Sequence, residues 1–177
     1  MKRLERKIKK RIERLISSII VIAIAFFAEP FIRQEVKPQD NHLYDVVRVV
    51  DGDTIVVNIE GENTKIRLIG VNTPESVHSD SKKNTPEGVI ASDYVKDLLE
   101  GKQVYIEYDK EKLDQYKRTL AYVYTEDKEL VNLKLIELGY GECMFYSPNT
   151  KYKKLFDEAM EEAREKNAGF WGTGFFE

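Results

Sequence analysis

Five short runs of β-branched and aromatic residues limit what this chain can fold into. Each run has the length of a strand and is bounded by residues that favour turns. The glycine-containing tetrapeptide at 60–63 joins the second run to the third, which predicts a β-hairpin. The predicted strands are residues 44–50, 54–59, 64–69, 104–108 and 120–124.

Three segments have the apolar spacing that is typical of helices. The first begins with Thr85 as N-cap and Pro86 in the first turn and ends at Gly101, and the others cover 131–138 and 151–167. Strands interrupted by one helix, with further helices toward the C-terminus, predict an α+β fold that is mainly β. We expect a five-stranded OB-fold barrel with three packed helices, an architecture that commonly binds oligonucleotides.

The N-terminal region is predicted to be separate from this barrel. Fourteen uncharged residues, LISSIIVIAIAFFA at 15–28, follow a basic run. As a hydrophobic helix they would span roughly 21 Å, which suits the core of a cleaved signal peptide and falls short of the hydrocarbon layer. Extended through Phe31 and Ile32, the same helix would be an uncleaved membrane anchor.

Both of these interpretations stay open, and both predict an extracytoplasmic location. The excess of Lys and Arg before the apolar segment keeps that end in the cytoplasm. The body is then either secreted or membrane-anchored. We expect a basic leader and signal or anchor segment at 1–28, a linker at 29–41 and one folded domain at 42–174.

The charge of the chain is unevenly distributed. The formal net charge is -3, but the first fourteen residues carry +6, which leaves -9 for the remainder. An acidic body argues against broad electrostatic capture of nucleic acid. Cys143 is the only cysteine, which excludes a disulfide framework or a cysteine zinc site.

Four short motifs contain the residues that could perform chemistry. Asp51 and Asp53 flank a glycine in VVDGDTIVV, where a turn could direct two carboxylates toward a hard cation such as calcium. Arg67 points off the apolar face of its predicted strand, Glu75 ends an NTPE loop, and Arg118 precedes the fifth strand. Each motif alone is ordinary turn or barrel-rim chemistry. Together they supply what phosphodiester hydrolysis needs, which is cation ligands, two guanidinium groups and a carboxylate to activate water.

The sequence resembles the staphylococcal nuclease (thermonuclease) family over residues 43–172. The similarity rests on VDGDT, IRLIGVNTPE, PEGVIASDYVKDLL, DQYKRTLAYVY, VNLKLIELGYG and GFW. It implies an OB-fold barrel with three helices. It also implies a calcium-dependent endonuclease that hydrolyses DNA and/or RNA and leaves 3′-phosphate ends. We expect the protein to be a monomer with nucleic acid as its substrate.

The resemblance also implies a role for each matched position. Arg67 and Arg118 would hold the phosphate, and Glu75 would be the general base. One Ca2+ ion would lie at Asp53, Asn72 and the carbonyl of Thr73, with Asp51 close by. Substrate-binding contacts would come from Tyr116 and Tyr146.

Two positions depart from the family pattern. Asn72 stands where the family has an aspartate ligand, and the lost charge predicts weaker calcium binding or an altered metal preference. Met144 or Phe145 stands where the family has a second tyrosine. Stacking on a base would then persist without the tyrosine's hydrogen bond.

The alternative function is a non-catalytic oligonucleotide-binding OB-fold module tethered to the membrane. Arg67, Glu75 and Arg118 are all present, whereas a decayed copy would have lost at least one of them. This favours catalysis over binding alone. A membrane-tethered scaffold is a third interpretation, which rests only on the N-terminus and the acidic body. For catalysis we expect a local positive or neutral patch around Arg67 and Arg118 despite the net charge of the body.

Overall fold

The computed structural model describes residues 36–77 and 79–176. The predicted leader, the hydrophobic helix and most of the linker fall on residues 1–35, so they lie outside the described residues. In the described part of the chain, no helix has the length and apolar character needed to cross a membrane.

The strands of the described residues are β1 (Leu43–Asp51), β2 (Thr54–Ile59), β3 (Glu62–Leu68), β4 (Gly70–Asn72), β5 (Gln103–Glu107), β6 (Thr119–Thr125) and β7 (Glu142–Met144). Five of them close into a barrel in the order β1-β2-β3-β6-β5, which confirms the predicted fold. Neighbouring strands of the barrel are antiparallel except β3 and β6, which run parallel. A separate two-stranded sheet pairs β4 with β7.

The hairpin between β2 and β3 is tighter than the sequence suggested. Ile59 pairs with Glu62, which leaves only Glu60 and Gly61 in the turn. Both have positive φ, 53° and 90°. A two-residue turn of this kind matches the twist of the strands that it joins. The third strand therefore begins two residues before the predicted position.

Three helices pack on the barrel: α1 (Pro86–Leu99), α2 (Val131–Glu137) and α3 (Lys153–Glu165). The predicted cap of α1 is present, since Thr85 Oγ1 accepts a hydrogen bond from Gly88 N at 3.0 Å. In α3 the buried residues are Phe156, Ala159 and Ala163, which recur at helical spacing. Their burial fixes the side of α3 that faces the core and leaves its acidic side to solvent.

The small sheet of β4 and β7 was not predicted. The sequence gives one run from residue 64 to Ile69, but the chain bends at Gly70, where φ is 81°. A Cβ at Gly70 would lie 2.4 Å from Cζ of Phe145, so the ring packs directly against this glycine. The bend sets β4 off from β3 and carries the chain toward the polar loop that follows Asn72.

Candidate active site

A cleft of about 850 Å³ opens beside the outer face of β3. Its walls come from the turn between β1 and β2, from β3, and from the loops that follow β4, β5 and β7. Eight of the nine predicted site residues line it: Asp51, Asp53, Arg67, Asn72, Glu75, Tyr116, Arg118 and Tyr146. Segments far apart in the sequence therefore contribute to one concave surface.

Asp53 lies buried at the turn between β1 and β2, where it accepts two hydrogen bonds and forms an ion pair with Arg67. Thr54 Oγ1 donates to Oδ1 at 3.0 Å, while Thr73 N donates to Oδ2 at 3.1 Å. Arg67 Nη2 lies 2.9 Å from the same Oδ2. Burial raises the pKa of Asp53, and the Arg67 charge and these hydrogen bonds offset only part of that effect. A cation bound at Asp53 would therefore stabilise its charged form.

Thr73 is the predicted site residue outside the cleft lining. It is buried, and its backbone N–H donates a hydrogen bond to Asp53 Oδ2. Its hydroxyl has no hydrogen-bond partner among residues 36–77 and 79–176. A Cβ on Gly52 would lie 2.7 Å from that hydroxyl, so only glycine fits this turn without displacing Thr73. The glycine of the VDGDT motif thus allows the close approach that supports Asp53.

Arg67 is fixed by hydrogen bonds that use both terminal nitrogens. Nη1 donates to the carbonyls of Leu68 at 3.0 Å and Val71 at 2.7 Å, and Nη2 donates to Asn72 Oδ1 at 3.1 Å. The bend after β3 brings these acceptors back over the strand. The guanidinium is consequently held in one orientation before any substrate binds.

Four charged or ionisable groups act on Arg67. Burial lowers the pKa of Arg67 most, the charge of Asp53 raises it, Arg118 lowers it further, and Glu75 and Tyr146 raise it. Such coupling requires short separations. The cleft therefore concentrates charges of both signs around one guanidinium group.

Glu75 lines the cleft and is held in place through its main chain. Its carbonyl accepts a hydrogen bond from Thr85 N at 2.9 Å. A Cβ at Gly88 would lie 2.2 Å from that same carbonyl oxygen, so the first turn of α1 contacts the Glu75 backbone directly. Gly88 is a positioning feature that the sequence reasoning missed, although this glycine is visible as the third residue of the predicted helix PEGVIASDYVKDLL.

Asp51 is tied to the residue that follows Glu75. Ser76 Oγ donates to Asp51 Oδ1 at 2.7 Å, and Ser76 N donates to Oδ2 at 3.4 Å. Gly52 N also donates to Oδ1, at 2.9 Å. Asp51 lines the cleft, but these hydrogen bonds direct its carboxylate to the Glu75 loop. Sequence reasoning did not single out Ser76, and no motif in the chain identifies it.

Arg118 is held by Asp114. Arg118 Nε lies 2.6 Å from Asp114 Oδ2, and the backbone N–H groups of Arg118 and Tyr116 both donate to Asp114 Oδ1 at 2.8 Å. Partial burial raises the pKa of Asp114, but these bonds outweigh burial and hold it below its usual value. Within the described residues the guanidinium is bonded through Nε, so its two terminal nitrogens are available for a phosphate.

Exposed aromatic side chains flank the cleft. Tyr116 and Tyr146 are 71% and 72% exposed, and the Arg118 guanidinium lies 5.5 Å from the Tyr116 ring centre. Met144 also lines the cleft and accepts a hydrogen bond from Tyr146 OH at 3.0 Å. Phe145 instead packs on Phe156, with 5.3 Å between ring centres. Of the two residues considered for the missing tyrosine, Met144 is therefore the one at the cleft.

The lining of the cleft has more carboxylates than cations. Five carboxylates and three cations line it: Asp51, Asp53, Glu75, Glu111, Asp114, Lys65, Arg67 and Arg118. Two of the carboxylates, Glu111 and Asp114, come from the loop after β5, and the positive or neutral patch expected around Arg67 and Arg118 stays a prediction. One divalent cation would cancel this excess.

The side chains near Asp53 are oxygen donors of the kind that calcium binds. Among the described residues, no three His, Cys, Asp or Glu side chains form a group that could hold a metal ion. A cation at Asp53 would therefore depend also on amide, carbonyl, water and substrate oxygens, which hard cations accept. The oxygen donors near Asp53 fit a calcium ion. Few of them carry a formal charge.

Comparisons with known proteins identify relatives of this chain. The family model for staphylococcal nuclease homologues matches residues 65–173. A thermonuclease from Staphylococcus hyicus is 40% identical over 164 residues, which are 90% of this chain and 94% of that protein. A thermonuclease from Staphylococcus intermedius is 45% identical over 131 residues, 72% of this chain and 75% of the relative. A prophage-derived endonuclease of Bacillus subtilis is 36% identical over 126 residues, 70% of this chain and 42% of its own length.

The barrel, its cleft and these relatives define the class of the protein, which is a nuclease. The chain belongs to the staphylococcal nuclease family.

Proposed function

We propose that the protein is a calcium-dependent endonuclease that hydrolyses DNA and/or RNA and leaves 3′-phosphate ends. One observation supports this most strongly: Arg67, Glu75 and Arg118 line one cleft beside the buried carboxylate of Asp53. The cleft brings together two guanidinium groups, a carboxylate and oxygen ligands for a hard cation. These are the groups that hydrolysis of a phosphodiester by in-line displacement requires.

In this mechanism Arg67 and Arg118 bind the non-bridging oxygens of the scissile phosphate. Arg67 is rigid, because both terminal nitrogens are already bonded to carbonyl, amide or carboxylate oxygens, and among the described residues its Nε–H is the group left to donate to the phosphate. Among the same residues the Arg118 guanidinium is held through Nε, and its terminal nitrogens adapt to the phosphate. Both groups stabilise the additional negative charge of the pentacoordinate state.

Glu75 orients a water molecule for attack on phosphorus and accepts its proton. The new bond joins the water oxygen to phosphorus and the bond to the 5′-oxygen breaks, which leaves the phosphate on the 3′ side. The departing 5′-oxygen takes a proton from solvent and leaves as a hydroxyl group. The contacts of its main chain with Thr85 and Gly88 keep Glu75 at a fixed distance from α1. Restricting the carboxylate in this way contributes to catalysis through orientation.

Asp53, Asn72 and the carbonyl of Thr73 are the groups that would hold the calcium ion, with Asp51 supporting the adjacent loop. When bound, the ion supplies a Lewis acid at the phosphate and cancels the excess of carboxylates in the lining. Because Asn72 provides no charge, we expect N72D to bind Ca2+ more tightly than the unmodified protein. Calorimetric titration with Ca2+ alone measures this without any substrate.

The rim of the cleft favours unpaired bases. Val77, Leu113, Tyr116, Met144 and Tyr146 all line the cleft and are all exposed. Aromatic and apolar side chains bind the faces of bases, and those faces are accessible only when the bases are not paired. We therefore propose single-stranded nucleic acid as the preferred substrate.

The test is cleavage of a labelled single-stranded oligonucleotide by the full chain, with Ca2+ and with a chelator. We expect hydrolysis only with Ca2+ and loss of turnover in E75Q. Treatment of the products with a 3′-phosphatase should remove their terminal phosphate and so reduce their negative charge. The matched control is E158Q, which removes one carboxylate from the exposed side of α3. Equal cleavage by E75Q and E158Q would contradict the role given to Glu75.

A non-catalytic oligonucleotide-binding module is the second candidate. The exposed rings of Tyr116 and Tyr146 favour it, because they would stack on bases whether or not hydrolysis follows. Retained affinity for the oligonucleotide without turnover at any Ca2+ concentration would support this candidate.

We also propose that the protein acts outside the cytoplasm as a monomer, either secreted or attached to the membrane through its N-terminal segment. The basic run and the uncharged segment at 15–28 support this proposal. Mass measurement of the mature chain distinguishes a cleaved leader from an anchor, and sedimentation of the purified chain tests the monomer.

A further inference from the structure

Lys65 and Arg67 share the outer face of β3. They are two residues apart, and the residues that alternate with them, Ile66 and Leu68, are buried in the barrel. Both cations line the cleft. Because alternate residues of a strand point the same way, the side chain of Lys65 extends the positive surface that begins at Arg67.

Lys65 differs from the other two cations of the cleft in its pairing. Arg67 forms an ion pair with Asp53, and Arg118 forms one with Asp114. Over the described residues, the Lys65 ammonium has neither an ion pair nor a hydrogen bond, and Lys65 is exposed. No residue in the described part of the chain therefore neutralises its charge, which is available to an anionic ligand.

We propose that Lys65 binds the phosphate next to the one held by Arg67 in the same nucleic acid strand, an assignment that rests on the proposed function. Two residues along a strand separate the side chains by about 6.6 Å. This is comparable to the spacing of consecutive phosphates in an extended single strand. A flexible ammonium suits a backbone contact of this kind, which contributes affinity without reading the sequence. The cleft then binds a strand with at least two phosphates.

The test compares K65Q with the unmodified protein on two substrates. One is a dinucleoside monophosphate with no terminal phosphate, and the other is a longer single-stranded oligonucleotide. On the oligonucleotide we expect KM to rise about fivefold with kcat unchanged. The slope of log KM against log salt should fall by about 0.7, the value for one phosphate contact on a single strand. The dinucleoside monophosphate should be cleaved as before.

Two control variants accompany K65Q. K65R keeps the charge and should restore the KM of the unmodified protein. K154Q removes a lysine that is 92% exposed on α3, and it should change neither substrate. A K65Q variant that matches K154Q on the oligonucleotide overturns the proposal. An equal loss on the dinucleoside monophosphate also overturns it, because Lys65 would then act on the reacting phosphate.

A binding measurement separates this proposal from the proposed function. Anisotropy of a labelled oligonucleotide in the presence of a chelator reports affinity without hydrolysis, and K65Q should bind about fivefold more weakly than K154Q. If the unmodified protein binds but never hydrolyses, the proposed function fails while the role of Lys65 in binding is still measured. If R118A cleaves both substrates normally, the catalytic assignment fails independently of Lys65.

Discussion

Arg67 and Asp53 form a buried ion pair, with Nη2 2.9 Å from Oδ2 and side chains that are only 12% and 11% exposed. Burial lowers the pKa of Arg67 and raises that of Asp53, so neither charge is fully compensated by the other. A cation near Asp53 and a phosphate near Arg67 would each supply the missing compensation. If the proposed function holds, a metal-bound phosphodiester would supply both charges and so stabilise the charged forms of Asp53 and Arg67.

Replacing Arg118 with alanine should affect turnover far more than folding. Removing a group that stabilises the transition state costs about 100-fold to 1000-fold in kcat. The Arg118 side chain is 37% exposed, and its ion pair with Asp114 should contribute less than about 1 kcal/mol to stability. Single-turnover kinetics and thermal denaturation measure the two effects.

Lysine at the same position is the informative control for Arg118. R118K keeps the charge but lacks the planar fork, so we expect it to remain well below the unmodified rate. Normal kcat in R118A would require another group to perform the role assigned to Arg118.

Replacing Ser76 with alanine should lower both stability and kcat. Ser76 Oγ donates to Asp51 Oδ1 at 2.7 Å, and Asp51 is buried. Losing a hydrogen bond to a charged group costs about 1.5–3 kcal/mol. Because Glu75 is the preceding residue, a shift of this loop misplaces its carboxylate, and we expect kcat to fall about tenfold.

The control for S76A is S79A, which removes another hydroxyl from the same loop. Ser79 is exposed and makes no hydrogen bond within the described part of the loop. If S76A loses stability but keeps its kcat, the Asp51 to Ser76 contact supports the fold without positioning Glu75. Denaturant titration and initial rates distinguish these results.

Replacing Asn149 with alanine should destabilise the wall of the cleft. Its side chain accepts a hydrogen bond from Glu111 N and donates to Glu111 O, both at 2.8 Å. Asn149 is buried, so we expect a loss of about 2–3 kcal/mol in the free energy of unfolding. The contact joins the loop of Arg118 to the loop of Tyr146, so KM for an oligonucleotide should also rise.

N63A is the matched control for N149A, because Asn63 is exposed at the start of β3. It should leave both the denaturation midpoint and KM near those of the unmodified protein. A rise in KM of similar size in N63A would show that the effect does not come from joining the two loops.

Strand periodicity made the barrel predictable, whereas the contacts within the site were not. Residues 54–59 have the predicted bounds, because a run of β-branched residues bounded by turn residues defines a strand locally. β4 and β7 have three residues each, too few for any periodicity to appear. They form because the bend at Gly70 brings distant segments together.

Motif order selected candidate residues of which eight line one cleft, but their hydrogen-bond partners depend on tertiary packing. Asp51 and Ser76 are 25 residues apart, and no local pattern relates them. The excess of carboxylates in the cleft arises in the same way, because Glu111 and Asp114 belong to a charged loop whose path the sequence does not determine. The residue types were enough to propose the chemistry of the site. The distribution of charges in the cleft could be described only from the folded structure.

The buried tyrosine Tyr124 should make the thermal stability of the protein depend on alkaline pH. Tyr124 is fully buried in the barrel, and its hydroxyl donates to Glu107 Oε2 at 2.6 Å. Burial raises the pKa of Tyr124 well above its ordinary value of 10.0, and the bond to Glu107 raises it further. A raised pKa in the folded state gives stability that is complete below about pH 10 and is lost as the pH rises, because only the unfolded chain then releases the proton.

We therefore expect the Tm of the unmodified protein to decline above about pH 10, and the Tm of Y124F to decline less steeply. At neutral pH, Y124F should also lose about 1–3 kcal/mol in the free energy of unfolding. Y116F, at an exposed ring, should retain the full decline, and equal slopes for Y124F and Y116F would contradict this assignment.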